Sequence, residues 1–300
     1  MRWEAGRRSE NVEDRRGFGG SGLKIGGGLA VIVTLLGALF GVDLTPLVQL
    51  LSGQGSEPTA PTHPNEPRYP HGQKGVTNSN GAAKDRSADF VSVILADTED
   101  TWTALFRDMH REYVKPKLVL FTDVVQSACG TASSAVGPFY CQGDQKVYID
   151  LSFYRELQTK FGAPGDFAQA YVIAHEIGHH VQTLLGTAAR LWLHERSLSA
   201  SERNALSVKQ ELQADCYAGV WGHHADSQRQ LLEAGDIDEA LRAAAAVGDD
   251  RLQKQAGRVV TPETFTHGSS EQRAYWFKVG MSRGAVQACD TFAGTVELPH

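Results

Sequence analysis

Apolar positions recur along this chain mostly at helical spacing, and only briefly with the alternation of strands. From Asp89 to Tyr113, Phe90, Val93, Ile94, Trp102, Leu105, Phe106 and Met109 predict a helix facing a core. KLVLFTDVV, from Lys117 to Val125, reads as a strand, and so does KVYIDLSFY after the Gly143-Asp144 turn. From Gln169 to Gly186 the pattern changes. Phe167 precedes this stretch, and with Tyr171, Val172, Ala174, Ile177, Val181, Leu184 and Leu185 it leaves little polar surface, so this helix is expected to be buried. Asp166, after Pro164-Gly165, is its expected N-cap, and Gly186 its stop. A second largely apolar helix starts near Ser201-Glu202, carries Leu206, Leu212, Ala214, Tyr217, Val220 and Trp221, and ends at His223 and His224. Ala234–Arg251 reads as one more helix, and Ser269 or Ser270 caps another over EQRAYWFKVGMSRG.

One apolar stretch stands apart. Ile25 to Val42 contains no charge, and its eighteen residues reach roughly 27 Å as a helix, enough for a hydrocarbon core. Polar flanks leave it nothing to pack against. It starts too late, and lacks the small-residue cleavage site, for a secretory signal. Arg and Lys precede it and acids follow it, which orients the N-terminus to the cytoplasm. The expected organisation is a cytoplasmic segment over 1–24, a single uncleaved transmembrane anchor over 25–42, a flexible linker over 43–86 and one folded domain over 87–300. The linker is rich in Pro, Gly, Ser and Asn and too poor in apolar groups to fold. This places the protein in the cell (inner) membrane as a single-pass chain, with the domain periplasmic or extracellular.

A net charge of -6, 21% charged residues and no basic block argue against a nucleic-acid partner. Cys129, Cys141, Cys216 and Cys289 form no C-x-x-C, so a cysteine zinc site or a thioredoxin-like motif is not expected. An even count at long spacings fits two disulfides outside the reducing cytosol, Cys129–Cys141 closing a short loop and Cys216–Cys289 tying the C-terminus inward.

The candidate chemistry lies inside the most apolar helix. His175-Glu176-Ile177-Gly178-His179 is an H-E-x-x-H. Residues four apart on a helix share a face, so two imidazoles aim at one point with Glu176 beside them. Such polarity in a buried helix is costly unless a metal compensates it, and zinc suits these ligands. His180 points about 100° away and is expected at the surface or behind the ligands. The third ligand must come from elsewhere, because Gln182 and Leu185 stand where the metzincin continuation would have Gly and His. Glu211 and Asp215, four apart on the second apolar helix, are the candidates. Glu211 is the favoured ligand, with Asp215 orienting a ligand imidazole; Asp215 as ligand is the alternative. His267, in a Gly/Ser-rich turn, is either a donor to a developing oxyanion or a loop histidine that caps the next helix. Arg273 either holds a carboxylate or serves a structural ion pair.

AHEIGHHVQ, ELQADCYAG and THGSSEQRAYWFKVG together resemble the bacterial family of predicted neutral zinc metallopeptidases, over roughly Asp89 to Phe292. The resemblance implies an α+β, mostly helical, zincin-like domain with a small β-sheet behind an N-terminal anchor. It also implies His175, His179 and Glu211 as ligands of Zn2+, Glu176 as catalytic base, and a peptide or protein substrate. Two other classes share these residues: a zinc-stabilised binding or scaffold protein that cleaves nothing, and a zinc amidase acting on cell-wall material.

Overall fold

The structure is a computed structural model that describes residues 1–16, 85–195 and 197–293. Strand β1 (Val12–Asp14) is followed by α1 (Arg86–Asp108) and then by β2 (Lys117–Phe121). β3 (Val124–Ser127) and β4 (Gly130–Ser133) form a hairpin, and β5 (Phe139–Cys141) pairs antiparallel with β6 (Lys146–Asp150). Helices follow: α2 (Ser152–Thr159), α3 (Asp166–Leu184), α4 (Thr187–Glu195), α5 (Ala200–Arg229), α6 (Asp236–Ala246), α7 (Asp249–Gln255) and α8 (Ser270–Arg283). The main sheet runs β1-β2-β6-β5, with β1, β2 and β6 parallel and β5 on the edge. The α+β, mostly helical class with a small sheet that the resemblance implies is therefore the observed one.

Strand alternation explains how the sheet is used. Leu118, Leu120, Val147 and Ile149 point into the core shared with the helices. Val119, Phe121 and Tyr148 point to the other face, where Val125 and Cys141 cover them. The Cys129–Cys141 disulfide ties the β3–β4 hairpin to edge strand β5. Among the described helices, α5 and α8 share the most extensive contact, and glycine permits it. A Cβ on Gly219 would lie 2.1 Å from the Phe277 carbonyl oxygen, and one on Gly280 would lie 1.9 Å from that of Cys216. The second disulfide, Cys216–Cys289, fastens the turn after α8 back to α5.

Several expectations are corrected. KVYIDLSFY is a strand only to Asp150; Ser152–Thr159 coils into α2, with Asp150 accepting from the Ser152 amide at 2.9 Å. Ala234–Arg251 breaks into α6 and α7 around Val247-Gly248. His223 and His224 sit within α5, which runs on to Arg229. Asp166 is the first residue of α3 rather than its cap, and its carboxylate takes the Met1 amine at 3.1 Å.

The largest correction concerns the N-terminus. Residues 1–16 belong to the folded body rather than to a separate segment. Trp3 is buried edge-on against Phe90, and β1 pairs Val12, Glu13 and Asp14 with Leu118, Val119 and Leu120. Burial pulls the Glu13 carboxyl upward, but hydrogen bonds from Arg15, Lys146 and Lys117 outweigh it and hold the group at about 2. The expected anchor over 25–42 and almost all of the expected linker lie outside the described residues. Among the described residues, no helix is long and apolar enough to cross a membrane.

Candidate metal centre

α3 delivers His175 and His179, one turn apart, with ring centroids 4.8 Å apart. α5 delivers Glu211 and Asp215, also one turn apart. The two helices can meet because the residue just before His179 is glycine. A Cβ on Gly178 would lie 2.8 Å from the Ala214 carbonyl oxygen and 3.0 Å from its Cα. Any other side chain there would push the two imidazoles away from the carboxylates.

At the junction, His175 Nε2 lies 3.2 Å from one Glu211 oxygen and His179 Nε2 lies 3.3 Å from the other. One donor atom from each of the three residues falls within 4.8 Å of the others. Tetrahedral zinc, with ligand bonds of about 2.0–2.1 Å, places neighbouring donors about 3.3 Å apart. The separations and the donor types therefore fit zinc. Of the two candidate acids on α5, Glu211 faces the ring Nε2 atoms. Asp215 lies on the far side of His175 and accepts from its Nδ1–H at 2.8 Å. Glu211, the acid the sequence pattern favours, is thus the one whose oxygens lie beside both Nε2 atoms.

Asp215 is fully buried and well supplied with donors. Arg273 from α8 reaches it through Nε at 2.8 Å and through a terminal nitrogen at 3.0 Å, and the Tyr171 hydroxyl also donates to it. Arg273 is thus the ion-pair partner of an internal carboxylate. Burial drives the Asp215 carboxyl up, but Arg273 and His175 outweigh burial and keep it below its usual range. The sequence reading gave no role to Gln182, yet its side-chain oxygen accepts from His179 Nδ1–H at 2.9 Å. Its spacing, three residues from a candidate ligand on the same helix face, is all the sequence offers; the structure shows the amide fully buried.

A cavity of about 640 Å³ opens on this cluster and reaches Glu176, His267 and the edge residues Phe139 and Tyr140. Glu176 is buried at its wall. His267 turns Nδ1 to Asp249 at 3.2 Å, and Asp249 also accepts from the His267 and Gly268 amides. That seat orients the ring in the loop before α8; the cap of α8 itself is Ser269. His180 corrects an expectation, because it is entirely buried. Nε2–H donates to the Val114 carbonyl at 2.6 Å and Nδ1 accepts from the Tyr140 hydroxyl at 3.1 Å. Burial lowers its pKa to about 4, so it stays neutral and fastens α3 to β5.

The donor set, two histidines and a glutamate facing an open cavity beside a further acid, is of the kind that holds a zinc ion with a coordination place to spare. A family model described as "Putative neutral zinc metallopeptidase" matches residues 1–292, and the chain belongs to that family. It is 46% identical over 306 residues to the uncharacterized protein YpfJ of Escherichia coli K12, covering 99% of this chain and 100% of that protein. It is 44% identical over 214 residues to the uncharacterized protein Rv2575 of Mycobacterium tuberculosis H37Rv, covering 68% of this chain and 71% of that protein. No solved structure matches it.

The electrostatics of the cluster lead to a measurable consequence. Burial alone would lower the His175 pKa, but Asp215 and Glu211 reverse this and raise it to about 10. The metal-free protein therefore carries a proton on His175 near neutral pH, and a divalent ion must displace it. Zinc titration followed by calorimetry in buffers of different ionisation enthalpy should show release of about one to two protons near pH 7. The release should fade as pH rises past about 10, where His175 has already lost its proton. A binding enthalpy independent of buffer would contradict this arrangement.

Proposed function

We propose that this protein is a zinc-dependent endopeptidase. The observation that carries the reading is the convergence of His175 Nε2, His179 Nε2 and the Glu211 carboxylate at one wall of a cavity that a further acid, Glu176, also lines. His175, His179 and Glu211 would hold the ion. Bound there, zinc supplies Lewis acidity toward a carbonyl oxygen and makes water a stronger acid. Glu176 then takes a proton from the attacking water and passes it to the leaving amine. His267, turned by Asp249, offers a donor to the oxygen of the scissile carbonyl.

The sheet edge supports a peptide substrate. Among the described residues β5 pairs with β6 on one side only, and Phe139 and Tyr140 line the cavity. An extended peptide can add to that edge through main-chain hydrogen bonds. The β3–β4 hairpin, joined to β5 by Cys129–Cys141, stiffens the edge.

Glu176→Gln should lower cleavage of an unstructured protein substrate by about 10²–10⁴-fold while the full chain keeps its zinc, measured by metal analysis on the same sample. Glu211→Gln should lose both zinc and activity. Full activity in the Glu176→Gln variant would refute the mechanism. Zinc-loaded wild type that cleaves nothing would leave a structural zinc site.

A further inference from the structure

His175 and His179 are backed by different chemistry. His175 has a carboxylate behind it, and His179 has an uncharged amide whose orientation the structure dictates. The Gln182 nitrogen donates to the Gln210 carbonyl at 2.7 Å and to the Gln213 side-chain oxygen at 3.1 Å. The Gln213 nitrogen donates to the Cys289 carbonyl at 2.9 Å. A backbone carbonyl only accepts, so both amides can point in one direction alone. The Gln182 oxygen must then face His179, and His179 must carry a proton on Nδ1, so that Nε2, on the Glu211 side, is the nitrogen left to offer its lone pair to a metal ion. Gln182 and Gln213 are both buried, so neither bond competes with water. The far end is fixed covalently, since Cys289 is joined to Cys216, one turn beyond Gln213 on α5.

We propose that Gln182 and Gln213 are positioning residues. Together they form a directional amide relay, ending on the Cys289 carbonyl, that fixes the tautomer and orientation of His179 as a metal ligand. The proposal rests on the zinc reading above. It explains why Gln182 occupies its place on α3, and it gives the Cys216–Cys289 bond a role at the site beyond tying down the chain end.

The test is the zinc affinity of the full chain, read by competition with a chromophoric chelator. Gln182→Met keeps the volume and removes the relay, and should weaken zinc binding about 10–100-fold. Gln213→Met, which does not touch His179, should weaken it by a smaller factor. Gln182→Glu retains an acceptor for Nδ1–H and should bind zinc better than Gln182→Met. A packing role predicts the reverse order, because a carboxylate there would face two carbonyl oxygens. Leu118→Ala, a buried change in the main sheet, should lower stability without changing zinc affinity. Wild-type affinity in Gln182→Met or in Gln213→Met would overturn the relay while leaving the zinc reading intact. A wild-type chain that binds no zinc would overturn both.

A separate observation carries a second inference. Both ends of the stretch over 17–84 lie on one body. Arg16 pairs with Asp85, Arg8 with Asp89, and Arg7 with Glu99 and Asp100. Trp3 is buried on Phe90, and β1 is a strand of the main sheet. An odd number of membrane crossings between Arg16 and Asp85 would place these partners on opposite sides. The arginines that orient a single anchor in the sequence pattern are engaged as internal ion pairs, which removes the ground for assigning them to the cytoplasm. We infer that residues 1–16 and the domain from Asp85 onward share one side of any membrane this chain meets.

Two full-length variants test this, Glu10→Cys and Ser201→Cys, both at exposed positions. Each is treated with a membrane-impermeant maleimide on intact cells and again after lysis. The same accessibility at both positions is the expected result. Labelling of Ser201→Cys on intact cells, with Glu10→Cys labelled only after lysis, would restore a single-pass topology and overturn the inference.

Discussion

The structure depends on how one buried carboxylate is satisfied. Asp215 has no exposed surface, and an unpaired charge there would cost several kcal/mol. Its oxygens accept from Arg273 on α8 and from His175 and Tyr171 on α3. Three helices are thereby locked to a common point, and α5 and α8 pack at backbone distance through Gly219 and Gly280 to reach it. The same bonds set the tautomer of His175. Structural and chemical requirements coincide in this one side chain, and loosening it would disturb both.

Charge accounts for the rest of the cluster. Arg273 balances Asp215, which leaves Glu211 facing two imidazoles from inside the protein. Without a metal the histidines make up the deficit by holding protons, as the raised pKa of both shows. Burial opposes those protons, but the neighbouring carboxylates prevail. A divalent cation would meet the same deficit without protonating the ligands. The proposed metal thus follows from the electrostatics of the chain itself, with the family relationship as independent support.

Much of the candidate site was legible in the sequence because it lies on helices. A period of 3.6 places His175 over His179 and Glu211 over Asp215 with no tertiary knowledge. The apolar surroundings of both pairs show that these polar groups face inward. Glu176 comes with the same motif, His267 stands out only by its Gly/Ser-rich turn, and both line the cavity. What stayed hidden depends on contacts distant in sequence. β1 is three residues long and pairs with a strand more than a hundred positions away, so the arginines on either side of it read as topology signals instead of ion-pair partners. His180 turns away from the ligands, as the helical period requires, but its wall is Val114 and Tyr140 rather than solvent. Gln182 was visible only as a departure from another motif, and its partners on α5 and near Cys289 emerge from folding alone.

The central claim is that two imidazoles and one carboxylate from two helices hold a single zinc ion at the wall of the cavity. Anomalous diffraction from crystals of the zinc-loaded protein, collected on both sides of the zinc edge, tests it most directly. The account predicts one peak about 2.0–2.2 Å from His175 Nε2, His179 Nε2 and an oxygen of Glu211. The absence of a peak there, or a peak confined to the acidic group of Asp166, Asp236 and Glu239, would contradict it.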